Sequence, residues 1–271
     1  APYIKNKLVD PAVLSVDEGG NFVIPLLSGH IGGANGFAKV LAKVIKATPV
    51  VTTATDVNKL FAVDEWAARN NMIINSMKAA KDFAAALVDG QEVGLFTDYP
   101  IISALPRQIV LKDKGVTGLA ITKNRNVNPF DLTVQLWPRN IYLGIGCRRG
   151  TTLESIETLV LPKLKELGID LRTIVGVASV DLKKDEAGLL NFAAKYNWEI
   201  SFFTAEELQN AAGEFSSSDF VKSVVGVSNV CERSAVLAAN NGSIISSKCS
   251  LNGVTLAVAE ADIVLDFEKL S

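Results

Sequence analysis

Apolar residues in the first third of the chain alternate between short runs and a helical spacing. Two short runs, at 12–16 and 22–27, flank a turn-rich DEGGN segment and are typical of β-strands. Residues 37–45 then place several apolar side chains on one helical face: Phe37, Val40, Leu41, Val44 and Ile45. The TPVVTT run at 48–53 predicts a buried strand, and a short helix follows around Trp66. Strand, helix and strand in this order predict a parallel α/β sheet.

The middle of the chain has a different pattern. A helix predicted over 76–88 precedes four short apolar runs that are separated by Gly, Pro, Asn and Asp residues. These runs are EVGLFTD, RQIVL, TGLAIT and DLTVQLWP. One helix followed by several short strands predicts a small α+β unit.

From residue 140 onward, apolar runs again alternate with amphipathic stretches. IYLGIGC, TIVGVAS and EISFF predict strands that are each followed by a helix, and GSIISSK and VTLAVAEA predict two closing strands. The predicted fold class is therefore α/β, with an N-terminal parallel α/β domain (1–75), a small α+β middle domain (76–139) and a C-terminal α/β domain (140–271). The opening APYIKNK is typical of the end of an element, so we expect the N-terminal domain to be incomplete.

Composition narrows the functional classes. Hydrophobic residues make up 48% of the chain and charged residues 21%, and the formal net charge is -2. Such a balance lacks the basic surface of a nucleic-acid-binding protein and the polybasic patch of a membrane-surface protein. No apolar run reaches the roughly 18 residues that span a bilayer. The three cysteines form no CxxC pair, which argues against a disulfide framework or a cysteine zinc site and favours a cytoplasmic location.

The LLSGHIGGAN stretch at 26–35 contains His30, the single histidine of the chain. It follows a predicted strand and begins a predicted helix, where free backbone N–H groups and the helix dipole favour an anion. Candidate binding residues here are Ser28, Gly32, Gly33 and Asn35. The spacing matches neither GxGxxG nor a Walker A motif, so the glycine pattern alone favours a simple strand-to-helix turn. His30 adds a group that titrates near neutral pH and can serve as acid, base or carboxylate partner.

A second polar segment, TTATDV, ends the next predicted strand and supplies Thr53 and Asp56 as candidates. Ligands of open parallel sheets collect at the carboxyl ends of strands, so we expect this segment and the His30 turn at one sheet edge. The nearby DEW sequence adds Asp64 and Glu65 next to an aromatic ring. The alternative is that Thr and Asp cap a turn and that the helix carboxylates are only solvated.

Two adjacent arginines follow another predicted strand, in GIGCRRGTT. Arg148 and Arg149 stand with Thr151 just before a predicted helix. Guanidinium groups pair with carboxylates through two parallel hydrogen bonds, and a helix N-terminus adds to that attraction. Because arginine is unfavourable at this helix end without an anion, a binding role is the preferred interpretation. Cys147 has no second histidine to activate it, and we interpret it as a packed thiol.

Three further segments of the C-terminal domain place charges at predicted strand ends or helix starts. SVDLKKDEAGL contributes Asp181, Lys183, Lys184, Asp185 and Glu186, NVCERSAV contributes Glu232 and Arg233, and SSKCS contributes Lys248. Each charge alone has an ordinary interpretation; Asp185 and Glu186 also suit the first turn of a helix, where they complement the dipole. Three such segments in one domain favour a polar site.

Several catalytic devices are absent from the sequence. It contains no GxSxG elbow, no HExxH motif and no Ser-His-Asp set with better than chance support. A single histidine excludes a histidine-rich metal site within a monomer, and we expect no protein-bound metal.

Taken together, these segments resemble one protein family. The segments that carry the resemblance are, in family order, LLSGHIGGAN, TTATD with AVDEWA, GIGCRRGT, SVDLKKDEAGL, VGVSNVCERSAVLAA and NGVTLAVAE. They are similar to the cobalamin biosynthesis protein G family over essentially the whole chain, and the combination is specific although no single motif is. The family's N-terminal domain normally begins with further strand–helix units, and this sequence starts inside that domain.

The resemblance implies a hydrolase that acts on cobalt-precorrin-5A, a carboxylate-rich tetrapyrrole of the anaerobic vitamin B12 pathway. The family opens the δ-lactone on ring A and releases the bridging carbon with its methyl group as acetaldehyde. Lactone opening needs an activated water, hydrogen-bond donors for the oxyanion and a proton for the leaving alkoxide. The cobalt belongs to the substrate, so no cofactor bound by the protein is expected.

On this resemblance, His30 receives the acid/base role, with Asp64 or Glu65 as its orienting group and Glu232 as a second proton-transfer candidate. The groups expected to bind the oxyanion or the peripheral carboxylates are the N–H groups of Gly32 and Gly33 and the side chains of Arg148, Arg149 and Lys248.

Two other functions fit parts of the pattern. A tetrapyrrole-binding carrier of the same pathway would need the arginines and Lys248 but not His30, and it would release no acetaldehyde. A nucleotide-binding α/β protein is disfavoured by the missing Walker lysine and by the glycine spacing. The expected partner is the cobalt-precorrin substrate, with no nucleic acid and no membrane. A homodimer and contacts with neighbouring pathway enzymes are compatible with the sequence.

Overall fold

The residues that a computed structural model describes are 10–29, 32–51, 60–213, 215 and 229–268. They form three β-sheets and seven α-helices, and this mixed architecture confirms the predicted α/β class. Two compact units make up the chain: the first lies within residues 1–122, 127–136 and 265–271, and the second within 123–126 and 137–264. The domain boundaries near 75 and 140 stay predictions. No helix in the described part is long and apolar enough to cross a bilayer.

The first sheet of the first unit has the strand order β1–β2–β3. Its elements are β1 (Val13–Val16), β2 (Phe22–Leu27), α1 (Ala34–Ile45) and β3 (Thr48–Pro49). β1 and β2 form an antiparallel hairpin, and the Asp17 carboxylate closes its turn by accepting a hydrogen bond from the Phe22 N–H at 2.6 Å. β2 and β3 are parallel, as the strand–helix–strand pattern predicts.

Helix α1 buries a face lined mainly by alanines, and most of its apolar stripe is exposed. Its buried residues are Ala34, Asn35, Ala38 and Ala42. Two of them, Ala38 and Ala42, pack with Val23 of β2. The exposed residues include four of the five that share the apolar helical face: Phe37, Val40, Val44 and Ile45. Alanines on the sheet side let the helix lie close to β2, and periodicity alone identifies an apolar stripe without saying which surface lies beside it.

The TPVVTT run also differs from its prediction. In the described residues its strand, β3, spans only Thr48–Pro49 and both residues are exposed, so the expectation of a buried strand is wrong there. β3 stands at the edge of the described sheet, and proline has no N–H with which to continue a ladder. One further hydrogen bond extends the pairing, from the Val50 N–H to the Val23 carbonyl at 2.8 Å.

The second sheet of the first unit has the order β4–β8–β7–β5–β6. Its strands are β4 (Met72–Ile74), β5 (Val93–Thr97), β6 (Ile109–Leu111), β7 (Gly115–Ile121) and β8 (Phe130–Pro138), and its helices are α2 (Val63–Arg69) and α3 (Met77–Val88). β5 is parallel to β6 and β7, and β7 is parallel to β8, which the predicted α+β arrangement did not specify. The three-residue β4 is not predicted by the sequence pattern.

The chain returns to the first unit near its end. Leu265 forms a β-bridge with Ile101, and the Leu265 N–H donates to the Pro100 carbonyl at 2.8 Å. The Phe267 N–H donates to Ser103 Oγ at 2.8 Å. Residues 265–268, called the 265–268 strap below, are therefore fastened to the loop that follows β5.

The described part of the second unit contains one sheet in the order β11–β10–β9–β13–β12. Its strands are β9 (Ile141–Cys147), β10 (Ile174–Val180), β11 (Glu199–Phe203), β12 (Ser243–Leu251) and β13 (Val254–Glu260). Its helices are α4 (Leu153–Glu166), α5 (Ala187–Lys195), α6 (Ala205–Gln209) and α7 (Val230–Ala238), with 3-10 turns at Leu171–Thr173 and Asp181–Lys183. β9, β10 and β11 are parallel, whereas β13 runs antiparallel to β9 and β12.

Alternate residues of the central strand β9 contact different helices. Leu143 and Ile145 belong to the main apolar core, together with residues of α4 and α5. Gly144 faces α7 instead, and a Cβ at Gly144 would lie 1.8 Å from the Cys231 carbonyl oxygen. Helix α7 can pack this closely only because β9 carries a glycine there. The contact brings the first turn of α7 toward the carboxyl half of β9.

Candidate active site

Three connections of the second unit meet at one edge of its sheet. β9 leads into residues 148–151, β10 leads into the Asp181–Lys183 turn, and the β12–β13 turn lies beside β9 because Val254 pairs with Cys147. Ligands of parallel sheets collect at the carboxyl ends of strands. The predicted binding residues on this edge are Arg148, Arg149, Thr151, Asp181 and Lys183.

Backbone hydrogen bonds and a glycine shape residues 148–151, called the arginine turn below. Thr151 donates to the Arg148 carbonyl through its N–H, at 3.3 Å, and through its hydroxyl, at 2.7 Å. Gly150 has a φ of 77°, in the left-handed region that favours glycine. The Arg148 N–H donates to the Gly253 carbonyl at 3.2 Å, and a Cβ at Gly253 would lie 2.8 Å from Arg148 Cδ. The first arginine is thereby fixed to the β12–β13 turn.

A buried carboxylate holds the arginine turn from the α5 side. Glu186 is 8% exposed, and its Oε1 accepts a hydrogen bond from the Gly150 N–H at 2.6 Å. Its Oε2 lies 3.5 Å from Lys183 Nζ, which balances part of its charge. A Cβ on Gly188 would lie 1.9 Å from the Thr151 carbonyl oxygen, so α5 packs directly against the turn. The sequence identifies Glu186 only as one of several rim charges, and its position just before a helix is the signal that could have selected it.

The two arginine side chains of the arginine turn are exposed. Neither Arg148 nor Arg149 forms an ion pair with any residue within the described ranges. Their backbone positions are nevertheless fixed by the contacts of Gly150 and Gly253. Exposed cations on a fixed turn suit a ligand that carries several carboxylates.

The Glu232 side chain connects α7 to a register shift in β12 through a hydrogen bond. It is 3% exposed, and its Oε1 accepts a hydrogen bond from the Lys248 N–H at 2.7 Å. The β12–β13 register shifts between Ser246 and Cys249, which places that N–H outside the regular ladder. Asn229, with a φ of 62°, caps the helix by accepting from the Glu232 N–H at 3.2 Å. These contacts give Glu232 a structural role, and its role in proton transfer stays a prediction.

The thiols of this unit are poor nucleophiles. Burial raises the pKa of Cys147, and the nearby Lys183 charge opposes this only in part. Burial also raises the pKa of Cys231, to about 11. Because the thiolate is the reactive form of cysteine, neutral thiols at these positions agree with the interpretation of Cys147 as a packed side chain.

In the first unit, the described part of the glycine-rich stretch forms a compact turn. Ser28 has a φ of 58°, and its hydroxyl donates to the Asp10 carbonyl at 2.8 Å. Gly33 has a φ of 76° and immediately precedes α1. A Cβ on Gly32 would lie 2.3 Å from the Ser28 Cβ, so the two ends of the turn are in contact.

The first N–H groups of α1 are already engaged by this turn. Ala34 and Asn35 donate to the carbonyl oxygens of Ser28 and Gly29, at 3.1 and 2.9 Å respectively. These two N–H groups are therefore not available to an anion, and the N–H groups of Gly32 and Gly33 stay the predicted donors. Three predicted site residues lie outside the described residues: His30, Thr53 and Asp56.

Glu65 belongs to α2 and forms an ion pair with Arg69, one helical turn later. Its N–H donates to Asp64 Oδ1 at 3.0 Å. Glu65 also borders a cavity with aromatic walls, which is described below. Because His30 is outside the described residues, its orientation by Asp64 or Glu65 stays a prediction.

Three family models match the chain in succession. Cobalamin synthesis G N-terminal matches residues 1–56, Cobalamin biosynthesis central region matches 61–138, and Cobalamin synthesis G C-terminus matches 141–259. The chain belongs to the cobalamin biosynthesis protein G family. The resemblance that the sequence motifs indicate is thereby confirmed.

Named members of the cobalamin biosynthesis protein G family are similar over most of their length. The cobalt-precorrin-5A hydrolase of Salmonella typhimurium is 35% identical over 274 residues, which cover 96% of this chain and 78% of that protein. The hydrolase of the same name from Priestia megaterium is 31% identical over 277 residues, which cover 96% of this chain and 74% of that protein. The crystal structure of a protein G homolog from Sulfolobus solfataricus is 24% identical, with a TM-score of 0.41, over 96% of this chain and 77% of that chain. The named relatives confirm the predicted enzyme class, a hydrolase.

Proposed function

We propose that this chain is a cobalt-precorrin-5A hydrolase of anaerobic cobalamin biosynthesis. Support comes from the hydrolases of that name that are 31% and 35% identical over 96% of the chain. The structural observation that carries the proposal is the arginine turn, where two exposed guanidinium groups stand on a fixed backbone. The substrate is a tetrapyrrole fringed with acetate and propionate groups, and guanidinium groups bind such carboxylates through paired hydrogen bonds.

The arginine turn is suited to hold these carboxylates in a defined geometry. Glu186 and Gly253 already fix its backbone, so little ordering remains when an anion binds. Arg148 and Arg149 pair with peripheral carboxylates of the ring, and Lys183 and Lys248 add positive charge nearby. Thr151 and Asp181 offer hydrogen-bonding groups on the same edge.

Lactone opening begins with attack of water on the lactone carbonyl. The acyl carbon–oxygen bond then breaks, so water supplies an oxygen of the new carboxylate and the former ester oxygen stays on the bridging carbon as a hydroxyl group. His30 removes the proton from water and returns one to the leaving oxygen. The N–H groups of Gly32 and Gly33 receive the negative charge that develops on the carbonyl oxygen. Ser28 and Asn35 keep this turn closed.

Release of acetaldehyde then requires carbon–carbon cleavage in the manner of a retro-aldol step. A base removes the proton of the new hydroxyl group, its carbon–oxygen bond becomes the aldehyde carbonyl, and the macrocycle accepts the electron pair. The cobalt ion belongs to the substrate, and the chain supplies the proton transfers without a cofactor of its own. Glu65 and Glu232 are further candidates for these transfers, and Thr53 and Asp56 for contacts with the ring. The proposal places the protein in the cytoplasm, where its free cysteines stay reduced.

A comparison of binding with product release separates the hydrolase from a carrier. The purified chain is mixed with cobalt-precorrin-5A without oxygen, the corrinoid spectrum is followed, and acetaldehyde is trapped as its hydrazone. A hydrolase releases one acetaldehyde for each substrate and turns over repeatedly. Bound corrinoid without acetaldehyde would instead favour the carrier function.

A further inference from the structure

A cavity of about 410 Å³ lies in the first unit. Its walls are formed by the start of α2, the 104–107 loop and the 265–268 strap. The strap is held in place by the Leu265 bridge and by the Phe267 hydrogen bond to Ser103. The cavity is therefore a built feature, closed on one side by a segment that returns from the end of the chain.

Three aromatic rings form one wall of this cavity. Trp66 and Phe267 are stacked with ring centroids 4.7 Å apart, and Phe61 lies 5.8 Å from Trp66 and 5.7 Å from Phe267. The indole is fixed, because Trp66 Nε1 donates to the Asp266 carbonyl at 3.1 Å. An apolar body that enters the cavity meets a preformed aromatic surface.

Among the described residues, four charged side chains line the cavity: Glu65, Arg69, Arg107 and Glu268. Arg69 and Glu65 form an ion pair, so their charges largely compensate each other. Arg107 is exposed at the cavity and pairs with no carboxylate in the part of the chain that the structure describes. Glu268 also lines the cavity and is exposed.

We propose that this cavity binds an organic carboxylate with an apolar or aromatic body. The body contacts Phe61, Trp66 and Phe267, and the carboxylate pairs with the guanidinium group of Arg107. Small-molecule sites combine an apolar wall with a few placed polar groups in this way, and a guanidinium group fits a carboxylate through two hydrogen bonds. Glu268 repels the same carboxylate and sets a limit on its affinity.

Two kinds of molecule carry a carboxylate of this type. One is a small free carboxylate, and the other is a carboxylate arm of the tetrapyrrole, which rests on the proposed function. Both predict the same contacts in the cavity, so the first experiment tests the site and the second identifies the source.

Fluorescence of Trp66 tests the site directly. The chain contains three tryptophans, and the double variant Trp137→Phe with Trp198→Phe leaves Trp66 as the only one. The probes are 3-phenylpropionate and its neutral analogue 3-phenylpropanol. We expect 3-phenylpropionate to change the Trp66 emission with saturation and the alcohol to bind about tenfold more weakly, since one charge-assisted hydrogen bond is lost. Isothermal titration calorimetry on the chain with all three tryptophans repeats the test should the double variant not fold.

Substitutions at the cavity give the matched controls. Arg107→Gln is expected to raise the Kd of 3-phenylpropionate about tenfold, Glu268→Gln to lower it, and Lys114→Gln, an exposed cation that does not line the cavity, to leave it unchanged. No saturable signal, equal binding of acid and alcohol, or an unchanged Kd in Arg107→Gln would each overturn the proposal.

Kinetics identify the source of the carboxylate. If Arg107→Gln raises the KM for cobalt-precorrin-5A as well as the Kd of 3-phenylpropionate, the arm of the macrocycle occupies the cavity. If the KM is unchanged, the cavity takes a small free carboxylate. If the proposed function is wrong, no acetaldehyde is released. If the cavity proposal is wrong, 3-phenylpropionate gives no saturable change in Trp66 emission, so the two failures are distinguishable.

Discussion

The Glu186 carboxylate accepts a hydrogen bond from the Gly150 N–H at 2.6 Å, and this contact joins the start of α5 to the arginine turn. A carboxylate that is only 8% exposed requires compensation for its lost hydration. The Gly150 N–H and the Lys183 ammonium group provide it. The backbone of the arginine turn is therefore held by a buried carboxylate on α5's side of the turn.

Glu186→Ala is expected to loosen the arginine turn and to raise KM about tenfold, because loss of a hydrogen bond to a charged group costs about 1.5–3 kcal/mol. Glu186→Gln keeps an acceptor for the Gly150 N–H, so its KM should stay nearer to that of the wild type. Trypsin cleavage after Arg148 and Arg149 reports on the order of the turn and should be faster in Glu186→Ala. The exposed surface residue Glu166 provides the control. Equal KM values and equal cleavage rates in Glu186→Ala and Glu166→Ala would contradict this role.

Arg148→Gln and Arg149→Gln are each expected to raise KM about tenfold with kcat little changed, because binding energy shared by substrate and transition state appears in KM. Arg139 is exposed just before the amino end of the same strand, β9, so Arg139→Gln is the matched control. Steady-state kinetics at low and high salt measure the effect, and salt should weaken the wild type more than the variants. Unchanged KM values in both variants would exclude the arginine turn from the binding site.

His30→Ala is expected to lower kcat by about 10²–10⁴, the usual contribution of general acid–base catalysis. Single-turnover kinetics measure the rate, and circular dichroism checks that the variant is folded. His30→Gln, which retains hydrogen bonding but cannot transfer a proton in the same way, should be similarly slow. A folded His30→Ala variant with the wild-type rate would show that another group performs the proton transfer.

Gly144→Ala is expected to destabilise the protein by about 1–3 kcal/mol, because its Cβ would overlap the Cys231 carbonyl and α7 would have to move. Gly36→Ala in α1 is the opposite control. Its Cβ would meet no atom within 4 Å among the described residues, and alanine favours a helix by up to about 1 kcal/mol. Urea denaturation measures both. A Gly144→Ala variant as stable as Gly36→Ala would be inconsistent with the close packing of α7 on β9.

Alkaline pH should weaken the fold through Cys231. Burial raises the pKa of this thiol from 9.0 to about 11, so the folded state retains its proton more strongly than the unfolded chain does. The corresponding stability is fully present below pH 9.0 and is lost as the pH rises toward about 11. Urea denaturation across this range should show a smaller loss in Cys231→Ala than in the wild type. An equal loss in both proteins would mean that Cys231 is not shifted in this direction.

The sequence predicts the second unit well because its strands and helices are long and regularly alternating. IYLGIGC and TIVGVAS correspond to β9 and β10, and Thr152 caps α4 by accepting a hydrogen bond from the Ser155 N–H. The arrangement of charges at the strand ends follows from the parallel pairing of these strands. The family assignment adds the reaction, which spacing alone does not determine.

Other features depend on long-range contacts that local patterns do not contain. Phe37 and Val40 are exposed because α1 packs on β2 through Ala38 and Ala42 instead. β3 has only two residues and lies at the edge of the described sheet. The bond between Glu232 and the Lys248 N–H depends on a register shift in β12. The Glu186 contact spans 36 residues of sequence, so only the folded chain shows that this carboxylate supports the arginines.

Hydrolysis in ¹⁸O-labelled water tests the proposed reaction most directly. In a single turnover of cobalt-precorrin-5A by the purified chain, attack of water on the lactone carbonyl places the label in the new ring-A carboxylate of the corrinoid, and acetaldehyde is released. Mass spectrometry of the corrinoid product should show one labelled oxygen. A product without the label, or an unchanged corrinoid that remains bound without acetaldehyde release, would contradict the proposed hydrolase function.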